Sequence, residues 1–159
     1  MTARLDAAHL SAPLYKKYLA FSMGTAEGSI EEALRDLVHI RASQINGCAF
    51  CLDMHVKEAT LHGERPLRLL HLAIWRESAL FSPRERAALG WTEAVTRLGD
   101  HGVSDETYAE TLAELTEQEI SDLTFEVVSI NGWNRLSIAF RSTPGSMDAA
   151  FGLTKAGLS

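Results

Sequence analysis

The sequence predicts an all-α domain. Three observations carry the prediction. Helix start signals recur along the chain, with capping boxes at Ser29-Ile30-Glu31-Glu32, Ser82-Pro83-Arg84-Glu85 and Thr116-Glu117-Gln118-Glu119 and a further N-cap at Ser104. Stop signals fall between them at Gly63, Gly99 and Pro144-Gly145. No segment keeps the strict apolar/polar alternation of a half-buried strand.

Taken in order, these signals place helices near residues 12–22, 30–46, 48–62, 66–77, 83–98, 105–114 and 117–141, a domain of six to seven helices. Over 30–46, Ile30, Ala33, Leu34, Leu37, Val38 and Ile45 keep one apolar stripe at helical spacing. Asn46-Gly47 breaks that helix from the next, with Asn46 expected as the cap and Gly47 supplying the turn. Pro83 at a first helical position loses no hydrogen bond. The tail after 144 is small and polar and is expected to be loose. Residues 1–159 form one domain, with the chemistry concentrated near 30–62. Ile45-Asn46-Gly47 is echoed by Ile130-Asn131-Gly132, which reads either as a duplicated helical unit or as chance identity.

Composition narrows the function. Fifteen Lys and Arg against 21 Asp and Glu give a net charge of −6, which disfavours nucleic acid and anionic membrane surfaces. No apolar run approaches a membrane span of about 20 residues. The start, Met1-Thr2-Ala3-Arg4-Leu5-Asp6, carries no apolar h-region, so a cytoplasmic location is expected. A vicinal cysteine pair in that reducing compartment points to catalysis or metal binding rather than to a structural bridge.

The two cysteines of the chain are Cys48 and Cys51, followed by His55. On a helix the 3-4 spacing puts all three on one face. The start of a helix stabilises a thiolate through free N–H groups and the positive end of the dipole. A thiolate can attack a peroxide, and a second thiol can close the resulting sulfenic acid to a disulfide. An antiparallel hairpin about Gly47 would set His55 opposite His39 and within about a turn of Asp36, which could then orient or charge the imidazole. Two bland readings stand beside this one. The cysteines read also as small buried hydrophobes, or as part of a zinc site that would need a fourth ligand such as His39. Asp36 alone reads as a solvated charge, Glu93 as an ion-pair partner, and Trp75, Trp91 and Trp133 as core or interface aromatics. His9, His39, His62, His71 and His101 have no motif around them.

The stretch Asp36-Leu37-Val38-His39-Ile40-Arg41-Ala42-Ser43-Gln44-Ile45-Asn46-Gly47-Cys48-Ala49-Phe50-Cys51-Leu52-Asp53-Met54-His55 resembles the core motif of the alkylhydroperoxidase D and carboxymuconolactone decarboxylase superfamily. The resemblance continues through Trp75-Arg76-Glu77-Ser78, Arg84-Glu85-Arg86-Ala87-Ala88-Leu89 and Ile130-Asn131-Gly132-Trp133-Asn134-Arg135-Leu136, covering about residues 13–142. It implies a helical protomer assembled as a trimer or hexamer and a thiol-dependent peroxidase acting on small hydroperoxides. Cys48, Cys51 and His55 would be its catalytic residues, with Asp36 in the proton relay. It implies attack by Cys51, resolution by Cys48, no bound cofactor or metal, and re-reduction by an external dithiol such as a dihydrolipoyl-bearing partner. Asp36 stands where the pattern usually has Glu, and Phe50 stands where some peroxidase members have His. A redox-sensing oligomer and a decarboxylase are the competing readings. The cysteine pair argues against the latter, because that branch does not depend on one.

Overall fold

The computed structural model describes residues 2–158; Met1, the first residue of the expected non-exported start, and Ser159 lie outside the described residues. Among the described residues every regular element is helical. The elements are α1 (Ala7–Leu10), α2 (Ala12–Thr25), α3 (Glu32–Asn46), α4 (Ala49–Leu61), α5 (Pro66–His71), a 3₁₀ segment (Leu72–Glu77), α6 (Pro83–Thr96), α7 (Asp105–Leu112), α8 (Glu117–Phe140), α9 (Asp148–Phe151) and a final 3₁₀ turn (Leu153–Ala156). No helix among them is long and apolar enough to cross a membrane.

The capping boxes at Ser82 and Thr116 form in both directions, and Ser104 caps α7 by accepting from the Thr107 N–H. The expected cap at Ser29 does not form. Its N–H and hydroxyl both bond Asp122 of α8, so α3 begins later, with Glu31 at the N-cap position. A tertiary acceptor has outcompeted the local one. The expected helix over 66–77 splits because Ile74 leaves helical geometry, at φ −121° and ψ 29°, while Leu72 and Trp75 on either side of it stay buried.

The tail also departs from expectation. Asp148 bonds Lys57 Nζ at 2.7 Å, the Gly145 N–H donates to Asp53 at 3.0 Å, and Leu153 is buried, so the described tail is docked on α4. Small polar residues read as loose by composition, but a buried ammonium shared by two carboxylates fixes them in place.

Helix α3 is the axis of the molecule, packed against α4, α6 and α8. Its Leu34 and Val38 meet Ala88, Trp91, Leu123 and Val127 on one side. Leu37 and Ile40 meet Ala59, Leu72, Trp75 and Leu89 on another. Ala42, near its end, packs with Cys48, Cys51 and Ile130. Trp75 and Trp91 are thus core residues, and Trp133 is half-buried against the cysteines, edge-on to Tyr15.

The sequence echo is not a second helical hairpin. Gly47 reverses the chain at φ +69°, whereas Ile130-Asn131-Gly132 lies inside the unbroken helix α8. Gly132 serves instead to admit Tyr18 of α2, whose hydroxyl would overlap any Cβ placed there and which donates to the Ser129 carbonyl at 2.7 Å.

Candidate functional site

The site begins where α3 ends. Gly47 takes the left-handed conformation, the Cys48 N–H returns to the Ser43 carbonyl at 3.0 Å and the Gly47 N–H to that of Gln44. This is a Schellman closure, and it delivers the next residue as the first of a new helix. That residue is Cys48. The expected cap, Asn46, is still the last residue of α3, and its side-chain amide donates instead to Asn131 and Asn134 of α8 at 2.9 and 2.8 Å. Cys48 is the N-cap of α4, and its sulfur accepts the Cys51 N–H at 3.3 Å. A capping atom must accept hydrogen bonds, and a thiolate accepts better than a thiol.

Both cysteines are free thiols and closed from solvent, at 2% exposure for Cys48 and 1% for Cys51. Their electrostatics diverge. The hydrogen bond from the Cys51 thiol, the N–H groups of Cys51 and Phe50, and the Asn134 amide bring Cys48 down to about 7 against the opposing effect of burial. The same thiol–thiol bond, with burial, pushes Cys51 up. Above about pH 7 the pair therefore carries a single proton, and the helix cap favours the negative charge on Cys48. Asn134 was not visible as a site residue in the sequence. It is fully buried, its carbonyl oxygen is held by Asn46, and its amide donates to Ser43 at 3.1 Å and faces both sulfurs.

One turn beyond Cys51, His55 is buried, and burial lowers its pKa, so the ring is neutral at neutral pH. Its Nδ1 lies 2.6 Å from Glu58 Oε2. The carboxylate fixes the proton on Nδ1 and leaves Nε2 free to act as a base. Burial pushes Glu58 up, but the bond from His55 and the charges of the neighbouring imidazoles outweigh it, and its carboxyl sits below the ordinary range.

The hairpin register is as expected for His39, whose ring centre is 4.8 Å from that of His55. Asp36 acts on His55 through its charge, as the register implies, but not through a hydrogen bond. The hydrogen bond of Asp36 goes to His62 Nδ1 at 2.7 Å, and the carboxylate bonded to His55 is Glu58. The physical reason is register. Asp36 lies eleven residues before Gly47 and His55 only eight after it, so Asp36 falls farther along the hairpin, within reach of the end of α4. Burial raises Asp36 above its usual value despite His62, and the bond to Asp36 raises His62.

His39 Nε2 lies 3.0 Å from Glu126 Oε2 on α8, a residue that sequence reasoning missed because no motif marks it. Among the described residues no three His, Cys, Asp or Glu side chains converge in a way that could hold a metal ion. Glu93 is an ion-pair partner as expected, holding Arg41, Arg76 and the Trp75 indole. Phe50 is half-buried against the cysteines and brings no titratable group to them.

The thiolate carries a direct test. Ultraviolet thiolate absorbance should rise through pH about 7, and the titration should vanish in Cys48→Ser. A first thiol that ionises only near the free value of about 8.5 would contradict the capping argument.

Comparison with known proteins agrees with this frame. Residues 12–94 match the family model "Carboxymuconolactone decarboxylase family". The uncharacterized protein YdfG of Bacillus subtilis is 40% identical over 122 residues, 77% of this chain and 83% of that one. The structure of ATU0492 from Agrobacterium tumefaciens, a protein of unknown function regarded as a candidate antioxidant defence protein AhpD, superposes with a TM-score of 0.87 at 36% identity, covering 90% of this chain and 98% of that one. An uncharacterized peroxidase-related protein from Ralstonia eutropha, an alkylhydroperoxidase AhpD core, has the same fold, with a TM-score of 0.78 at 19% identity over 88% of this chain and 74% of that one. With its helical hairpin, its dithiol cap and a match over half its length, this chain belongs to the carboxymuconolactone decarboxylase family.

Proposed function

We propose that the chain is a thiol peroxidase that reduces small hydroperoxides through a Cys48–Cys51 dithiol/disulfide cycle. The observation that carries this reading is a buried pair of free thiols in which the Cys48 sulfur caps a helix and Cys51 stands one turn along it. The Cys48 thiolate attacks the distal peroxide oxygen and the O–O bond breaks. An alcohol leaves, and Cys48 becomes a sulfenic acid. Cys51 then attacks the oxidised sulfur, the S–S bond forms and water leaves. This order reverses the one expected from position in the chain, since equal burial removes solvent access as a criterion and the resting charge lies on Cys48. His55 Nε2 takes the Cys51 proton and returns it to a leaving oxygen.

The test is intact mass with free thiols alkylated, before and after one equivalent of cumene hydroperoxide. Rapid loss of both thiols is expected. Two thiols that survive would overturn the reading, and a disulfide that no reductant recycles would make the protein a sensor instead.

The reductant in this proposal is an external dithiol on a flexible arm, of which a dihydrolipoyl group is the chemical type. Two nearly inaccessible sulfurs disfavour attack from a broad protein surface, and a two-electron dithiol closes the exchange without a lingering mixed disulfide. A cycle of this kind suits the reducing cytosol. We also propose a homotrimer or homohexamer. Leu14 and Met23 on α2 and Phe125 and Val128 on α8 are 70%, 66%, 54% and 47% exposed, apolar side chains on two packed helices that a second protomer would cover. Light scattering should give a multiple of 17.5 kDa, and the protomer mass itself would contradict assembly.

A further inference from the structure

Both sulfurs are shut off from water, yet the proposed cycle moves protons through them. Above about pH 7 the reduced pair holds one proton, with Cys48 as the helix-capping thiolate. Converting a hydroperoxide to an alcohol and water takes two electrons and two protons. The pair supplies both electrons and one proton, so one proton must enter from solvent. A reducing dithiol returns two electrons and two protons, of which the pair keeps one and the other must leave. Each turnover therefore passes one proton in and one out.

One stripe of α4 is built for that passage. Cys48, Cys51, His55, Glu58 and His62 recur at spacings of three and four and share a face. From Cys51 to His62 the stripe runs about 16 Å along the helix axis, at about 1.5 Å per residue. His55 is hydrogen-bonded to Glu58, and His62 stands one turn beyond. His62 is at the end of α4 with 37% of its side chain exposed, held by Asp36 and 3.8 Å from Glu32. The hydrogen bond to Asp36 raises its pKa, favouring a protonated ring at the solvent end of the stripe.

The other branch from His55 is less open and ends inside the protein, His39 being 21% exposed at its side chain. His39 leads to Glu126, which is 1% exposed; its Oε2 faces His39, and its Oε1 accepts no hydrogen bond from the described residues, Arg35 Nε being 3.8 Å away. The groups facing the stripe are thus Glu32, Asp36 and His39 from α3 and Glu126 from α8, and along the stripe itself side-chain exposure rises from 10% at His55 through 30% at Glu58 to 37% at His62, so it opens to water toward its His62 end.

We infer that His62, acting through Glu58 and His55, is the port through which the buried dithiol exchanges protons with solvent. Glu58 and His62 are positioning residues here, since neither touches a sulfur. The inference rests on the dithiol cycle proposed above, but its test does not need a peroxide.

The full chain is oxidised with diamide, and reduction of the disulfide by dithiothreitol is followed by tryptophan fluorescence in weak buffer, Trp133 lying against the cysteines. His62→Gln keeps a donor for Asp36 but cannot carry a proton. Reduction should slow about tenfold, within the range of a lost proton-transfer group, and imidazole added to the buffer should restore it. An unchanged rate overturns the inference, and so does a slowed rate that imidazole leaves slow. If His62→Gln fails to fold, Glu58→Gln decides: it should slow the same step, and an unchanged rate again overturns the port. A pair that diamide cannot close overturns both port and peroxidase. A pair that diamide closes but hydroperoxide does not leaves the port standing or falling on its own rates, while the peroxidase reading fails.

Discussion

Cys48→Ser will abolish rapid oxidation by hydroperoxide, with a fall of at least about 10³-fold, as expected for loss of a nucleophile. The reason is the cap. Cys48 receives the Cys51 N–H and the Cys51 thiol proton, and these donors hold its thiolate in a site where burial alone would neutralise it. A serine hydroxyl there is not ionised and cannot break an O–O bond. Cys51→Ser behaves differently. Its hydroxyl still donates to Cys48, so the first step proceeds, but no second sulfur can resolve the product. The variant should stop at a sulfenic acid, seen as one added oxygen in the intact mass and captured by dimedone. The opposite pattern, an inert Cys51→Ser and a sulfenic acid on Cys51 in Cys48→Ser, would restore the order expected from position in the chain.

His55→Gln will slow single-turnover disulfide formation by about 10²-fold, the lower end of what a positioned acid–base group contributes. Glutamine keeps a donor for Glu58 and similar bulk, so loss of structure is not the expected cause. Burial keeps the His55 ring neutral, and the Glu58 carboxylate turns its free nitrogen outward as a base. The sign with pH follows. Lowering the pH first protonates Cys48, near pH 7, and then His55, whose pKa burial places below its ordinary value. The wild-type rate should therefore fall on the acid side of neutrality. The variant should keep the Cys48 limb and lose the second one. A variant rate within about twofold of wild type would remove His55 from the chemistry.

The helical class and most helix starts were legible because capping is local. Ser82, Ser104 and Thr116 bond the N–H groups of residues three along, a relation that sequence spacing states directly. Ser29 shows the limit. It has the same local signal, but Asp122 lies 93 residues away in the chain, and no spacing rule reports such a competitor. The cysteine pair and His55 were legible for the same reason as the caps, being a single-helix relation. The carboxylate partner was not. The hairpin set Asp36 within about a turn of His55, where it acts through its charge, while Glu58, three residues from His55, makes the hydrogen bond that holds the ring.

By itself, then, the sequence determined what depends on neighbours a few residues apart: the helices, the turn at Gly47, and a dithiol with an imidazole on one helical face. Only the tertiary structure decided where the charge rests. Seating Cys48 at the head of α4 beneath Asn134, burying His55, and leaving His62 as the exposed end of a polar stripe all depend on how α3, α4 and α8 pack. Ionisation follows burial and the donors present, and both are set by contacts between residues far apart in the chain.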